Sequence, residues 1–345
     1  MERVAGAWCD GAAAWFRLPD QDQKLSGVRL LCAFLGFPEF RYAAGERRWE
    51  LRVPRPDAAR IEYKLELTHR DGRRETICDQ GNPRRAPGGF GESSVLWCPD
   101  YREPDWLHLP PAGGDWRDLK LASAALRTEL AVRVWSPATT TGHVLVVHDG
   151  PDYDKYAELG RYAAASVAAG RVPPFHLVLL PAGERFEWYS AAPAYNRALT
   201  SEILPRLAAE LGTGEPVVAA GASLGGLATL AAQRHAPDRF AGLFLQSGSF
   251  FQPRFDSQES GFARYQRIIR FVAQVHRASH GPAVPVAMTC GTVEENLANN
   301  RSMAGALRGQ GYEITFAENR DAHNWIGWRD ALDPHLTNLL QRVWS

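Results

Sequence analysis

The sequence predicts an α/β domain built on a mainly parallel sheet, preceded by a small all-β sandwich. Three observations predict it. Residues 25 to about 100 are rich in strand signals, with apolar and polar side chains alternating at a period of two over 49–53 and 61–67, the pattern of half-buried strands. From about residue 119, short apolar runs alternate with helical segments, as parallel strands and their crossover helices do. Between one such run and one such helix stands Gly221-Ala222-Ser223-Leu224-Gly225-Gly226, a tight glycine-rich turn of the kind that lifts a serine to the end of a strand.

The chain has 345 residues, a length that favours two domains over one. In the first part, Trp49, Leu51 and Val53 alternate with Glu50 and Arg52, and Ile61, Tyr63, Leu65 and Leu67 alternate with Glu62, Lys64 and Glu66. Asp71-Gly72 follows as a hairpin turn. Residues 80–92 form a loop rich in Pro, Gly and Arg, and residues 93–98 add a strand. Residues 99–118, with Pro99, Pro104, Pro110, Pro111, Gly113 and Gly114, read as the linker. The domains are therefore expected at 1–115, including the linker, and 116–345.

In the second part, two strands are expected within 119–136, where Leu130, Val132 and Val134 alternate with Ala131 and Arg133. Apolar strands are expected at 144–147, 177–180, 217–220, 243–245 and 284–289, with helices near 154–169, 194–211, 225–235 and 295–309. Another strand covers 312–317. Ligands of such sheets bind beyond the carboxyl ends of the strands.

Composition excludes several classes. The 39 basic and 39 acidic residues cancel, so bulk charge points to neither nucleic acid nor a membrane surface. No apolar run approaches a transmembrane length. The N-terminus lacks a charged start followed by a long apolar segment and is not read as a signal peptide. Cys9, Cys32, Cys78, Cys98 and Cys290 show neither metal-ligand spacing nor a disulfide framework, and a reducing cytoplasm is the expected compartment. The 11 tryptophans and 15 phenylalanines exceed the needs of a plain core, so some are expected to line a pocket for a flat substrate.

A serine hydroxyl needs an adjacent base to act as a nucleophile at neutral pH. Where it stands on a turn of this kind, an acid and then a histidine follow it along the chain. His323 lies in a loop just beyond the 312–317 strand, whereas His335 falls inside the expected terminal helix; His323 is the favoured base. Glu294 and Glu295 both follow the 284–289 strand, and either carboxylate would suit a helix N-terminus. Asp321, in the same loop as His323, is a weaker acid. An oxyanion hole needs backbone N–H donors. Leu224 is expected to supply one and the 148–153 loop the other; Pro151 has no N–H, so Gly150 or Asp152 is expected there. His148 and Asp149 read as a turn. No metal site and no catalytic cofactor are expected.

Further stretches carry a resemblance: His148-Asp149-Gly150, Arg185-Phe186-Glu187-Trp188-Tyr189, Glu202-Ile203-Leu204-Pro205, His235-Ala236-Pro237-Asp238-Arg239-Phe240, Gln246-Ser247-Gly248-Ser249-Phe250 and His323-Asn324-Trp325. With the serine turn, they make the chain from about residue 120 onward resemble the enterochelin esterases, an esterase D-like branch of the α/β-hydrolases. The segment before residue 115 resembles, more loosely, the immunoglobulin-like module that precedes the hydrolase domain in that family.

The resemblance implies a Ser223, Glu294, His323 triad. The family's glycine-x-x-acid pattern selects Glu294, three residues after Gly291. It further implies that Arg185 meets an anionic catecholate, against the alternative of an ion pair with Glu184 or Glu187. Trp188, Phe251, Trp325 and Trp328 are the expected aromatic walls or, equally, core. The implied substrate is a siderophore of the enterobactin type, a small-molecule ester that brings ferric iron with it. Two departures bear on that substrate. The spacing from Arg185 to the next glutamate is shorter than in typical members, and Arg320-Asp321-Ala322 replaces a Gly-Gly pair before the histidine. Rival readings are a feruloyl or acetyl-xylan esterase on the same scaffold, and a non-catalytic binding protein.

Overall fold

The structure is a computed structural model that describes residues 5–214 and 216–345. Residues 1–4 of the stretch tested as a leader lie outside the described residues, as does Glu215, which opens the run before the serine turn. The chain forms two compact units. One gathers the residues up to Arg102 with Gly291–Glu294 and Arg320–Gly327; the other holds Glu103–Cys290, Glu295–Asn319 and Trp328–Ser345.

The first unit contains the expected all-β sandwich. One sheet is ordered β1 (Gly6–Cys9), β2 (Ala13–Pro19), β5 (Arg48–Pro54), β4 (Arg41–Ala43). The other is ordered β3 (Leu25–Leu31), β6 (Arg60–His69), β9 (Ser93–Trp97), β8 (Arg85–Ala86), with β7 (Arg74–Ile77) also on β6. The alternation seen in the sequence is the core pattern. Ile61, Tyr63, Leu65 and Leu67 of β6 are buried and face Phe16 of β2 and Trp49, Leu51 and Val53 of β5 in one apolar cluster. Each such buried side chain stabilises by roughly 1.5–3 kcal/mol. The Asp71-Gly72 turn joins β6 to β7, with Gly72 at φ +87°.

The expectation of no disulfide is overturned. Cys9, ending β1, is bonded to Cys98, which follows β9. The bond links strands of the two different sheets and joins thiols 89 residues apart in sequence, and the cysteine argument for a reducing compartment falls with it.

The second unit is built on an eight-stranded sheet ordered β10 (Gly114–Ser123), β11 (Thr128–Pro137), β13 (His176–Leu179), β12 (Val144–Val147), β14 (Val217–Ala222), β15 (Phe240–Gln246), β16 (Pro285–Gly291), β17 (Glu313–Asn319). The run β13-β12-β14-β15-β16 is parallel. Its strands are buried on both faces, which is why they read as continuous apolar runs. Two expectations are corrected. Residues 114–118, read as linker, begin β10. They lie on an edge with nearly every side chain exposed, so no alternation marks them. The amphipathic helix Tyr265–Arg277, which buries Ile268, Val272 and Val275, was not anticipated. Among the described residues no helix is long and apolar enough to cross a membrane.

Candidate active site

Ser223 stands between β14 and the helix Leu224–His235 at φ +57°, ψ −124°. An L-residue at such a position costs on the order of 1–3 kcal/mol, and the surroundings hold it there. Its N–H donates to Gln246 O at 2.9 Å, and its carbonyl accepts from the N–H groups of Ser249 at 3.0 Å and Gly226 at 3.1 Å. The turn closes this tightly because Gly221 has no side chain: a Cβ there would lie 2.4 Å from the carbonyl carbon and oxygen of Gly225. The Ser223 hydroxyl is half-buried, 3.3 Å from the Ser249 hydroxyl. Leu224 and Gly225 open the helix, where N–H groups have no intrahelical acceptor. The turn therefore presents a hydroxyl beside unspent donors.

The loop after β12 lies in the same unit. Asp149 adopts φ +54° and leads into the helix Gly150–Ala157. The Gly150 N–H donates to Leu180 O at 2.9 Å, so Gly150 is corrected: its donor is taken by the neighbouring strand end. Tyr153 N–H bonds Asp149 O at 2.9 Å. Pro151 has no N–H, which leaves Asp152, exposed in the first turn, as the loop's candidate donor. The ion pair weighed for Arg185 is corrected: its partner is neither Glu184 nor Glu187 but Asp149, at 2.9–3.0 Å. Glu187 is held instead by Arg264 and, at 2.7 Å, by Arg267. His148 is fully buried, with Nδ1 3.0 Å from the Thr229 hydroxyl. Burial pulls its pKa down to about 4, so it is neutral at pH 7.

The acid and the imidazole lie in the first unit. His323 Nδ1 is 2.8 Å from Glu294 Oε2. The Glu294 side chain is 1% exposed and the His323 ring 38%. Glu294 Oε1 accepts the Gly291 N–H at 2.7 Å. Gly291 must be glycine for close approach: a Cβ would lie 2.2 Å from Asp321 O. Glu295 is exposed. Asp321 is committed elsewhere, 2.8 Å from Arg60 Nε.

Residues 123–339 match the Esterase family model, described as "Putative esterase". The chain belongs to this esterase family. An iron(III) enterobactin esterase of Dickeya dadantii (strain 3937) is 29% identical over 205 residues, 54% of this chain and 45% of that protein. The match thus spans less than half the length of that curated relative. Among solved structures, the ferric enterobactin esterase of Salmonella typhimurium superposes with a TM-score of 0.78 at 18% identity, over 96% of this chain and 93% of that one. The Shigella flexneri enterobactin esterase, solved in the presence of 2,3-di-hydroxy-N-benzoyl-glycine, gives 0.76 at 19% identity over 97% and 95%. The fold is the α/β-hydrolase fold with an N-terminal all-β module.

Within this esterase-family scaffold the expected aromatic walls divide. Phe251 is a correction: it is 7% exposed and packs in the core against Tyr265. Trp328 is likewise buried, its Nε1 donating to the Ser247 hydroxyl at 3.0 Å. Trp188 is half-buried and stacked on Tyr195 at 5.8 Å. Trp325 is half-buried in the first unit. Phe186 was missed as an exposed aromatic; it is 62% exposed and meets Phe262 edge-on. Ser249 was also missed as a neighbour of Ser223, although Gln246-Ser247-Gly248-Ser249-Phe250 was among the stretches that carry the resemblance. Among the described residues no group of His, Cys, Asp and Glu side chains is arranged to hold a metal ion.

Proposed function

We propose that this chain is a serine esterase that hydrolyses the ester bonds of a catecholate siderophore of the enterobactin type, with Ser223, His323 and Glu294 as its triad. The observation that carries this reading is the 2.8 Å contact between His323 Nδ1 and Glu294 Oε2. A buried carboxylate that orients an imidazole and leaves Nε2 for a proton is what nucleophilic catalysis requires. A binding protein has no use for it.

In this reading the Ser223 hydroxyl attacks the ester carbonyl as its proton passes to His323 Nε2. The N–H groups of Leu224 and Asp152 stabilise the oxyanion. The imidazolium, balanced by Glu294, returns the proton to the departing alkoxide, and the alcohol leaves an acyl-serine. Water enters, gives a proton to His323 and attacks the acyl carbonyl; collapse frees the carboxylic acid and restores Ser223. Ferric iron arrives as part of the substrate. The siderophore is assigned from the family stretches in the sequence and from the relatives' names. Trp188 and Trp325 are the aromatic faces offered to a catechol.

Ser223→Ala is expected to lower turnover of a simple aryl ester by about a thousandfold or more. Hydrolysis unchanged in that variant sinks the mechanism. Incubation with a tri-lactone catecholate siderophore beside feruloyl and acetyl esters, read by product mass, tests the substrate. Preferential cleavage of a feruloyl or acetyl ester overturns the siderophore assignment.

A further inference from the structure

We propose that Arg60, on β6 of the sandwich, is a positioning residue for His323. The inference rests on the triad reading above and deepens it. Arg60 has a side chain only 2% exposed. Its Nε lies 2.8 Å from Asp321 Oδ2, and its Nη2 lies 2.9 Å from Asn324 Oδ1 and 2.7 Å from Glu62 Oε1. Asp321 and Asn324 bracket His323 in the chain and are themselves joined, Asn324 Nδ2 donating to Asp321 Oδ1 at 2.8 Å. Asn324 Oδ1 also accepts the Gly327 N–H at 2.8 Å, the N-cap bond of the helix Trp325–Asp330. One guanidinium therefore sets both sides of the loop that carries the imidazole.

The ring itself is more than a third exposed, so its place depends on its contact with Glu294 and on the shape of its loop. That loop is fastened to the sandwich at several points. Ala59 N–H donates to Arg320 O at 2.6 Å. Arg320 pairs with Asp57 at 2.8 Å and with Asp100. Ile326 packs with Ala86 and Val95. The acid's loop meets the same surface, where the Thr292 hydroxyl donates to Asp57 O. In this unit the sandwich is the bed on which the acid and the imidazole are aligned. A fork with fixed donor geometry suits the task better than a lysine point charge.

The alternative is an ion-paired cluster that only stabilises the fold, so the test reads more than stability. A misplacement of about 1 Å in a catalytic group can cost on the order of a hundredfold in rate. Arg60→Gln is expected to lower kcat on an aryl ester by about 10- to 100-fold with KM little changed. It is also expected to shift or abolish the downfield proton signal of the His323–Glu294 hydrogen bond. Arg60→Lys keeps the charge but not the fork and is expected to restore part of both. A folded Arg60→Gln protein with kcat within about twofold of the parent and an unmoved imidazole signal overturns the proposal. Should Arg60→Gln not fold, Arg60→Lys decides: unchanged kcat and signal overturn it. If the parent protein hydrolyses no ester, the esterase reading fails. The imidazole signal still tests Arg60 in that case.

Discussion

Arg185 embraces the Asp149 carboxylate: Nε lies 2.9 and 3.0 Å from its two oxygens, and Nη2 lies 2.9 Å from Oδ2. Asp149 is buried, adopts a left-handed backbone and starts the helix whose first turn carries Asp152. Burial pushes its carboxyl pKa up and Arg185 pulls it back. The arginine expected to meet an anionic substrate thus braces the loop that leads to Asp152.

Arg185→Ala is expected to leave that carboxylate buried without its partner. Breaking a fully buried pair costs about 3–5 kcal/mol; Arg185 keeps 31% of its side chain exposed, so roughly 2 kcal/mol is expected here. Thermal unfolding reads this loss, and kcat is expected to fall about tenfold as the donor loop relaxes. A raised KM with unchanged Tm and kcat would return Arg185 to substrate binding.

Glu294→Gln and Glu295→Gln are expected to differ sharply. Glu294 is buried between the Gly291 N–H and His323; losing its charge removes the stabilisation of the imidazolium and lowers kcat by about a hundredfold or more. Glu295 is exposed, and its variant is expected to stay within about twofold. Steady-state kinetics on one aryl ester compare them; a larger loss in Glu295→Gln reverses the assignment of the acid.

His148 sets an acid limit on stability. Burial lowers its pKa from 6.5 to about 4, so the unfolded chain takes up the proton first. Its contribution is intact above about pH 6.5 and is lost as pH falls toward 4, roughly 3 kcal/mol across the window. Asp149, shifted upward by burial, works in the opposite sense, so the comparison is between proteins. His148→Gln is expected to show a flatter fall of Tm between pH 6.5 and 4 than the parent. Equal slopes would show that this imidazole does not titrate with unfolding.

What was legible in the sequence follows burial. β5 and β6 have one wet and one dry face, so alternation marks them; β12 and β14 are dry on both faces and read as apolar runs. β10 begins exposed on both faces, and its first residues passed for linker. Within the candidate site, the residues alone left Glu294 and Glu295 open, and only the family's glycine-x-x-acid pattern selected Glu294, whose carboxylate accepts the Gly291 N–H three residues back. Long-range partners were not legible. Gly150 gives its N–H to Leu180, Arg185 reaches Asp149 and Cys9 finds Cys98, and no spacing announces any of these pairs.

By itself the sequence determined the α/β architecture, the order of its strands along the chain and the turn that carries Ser223, since these depend on periodicity and on residues within a few positions of one another. Only the tertiary structure decided which groups remain available for chemistry. It bonded Gly150's N–H to Leu180, spent Arg185 on Asp149, packed Phe251 into the core and gave Asp321 to Arg60. The physical reason is that a buried donor or charge must be paired, and its partner comes from whichever segment the fold brings near.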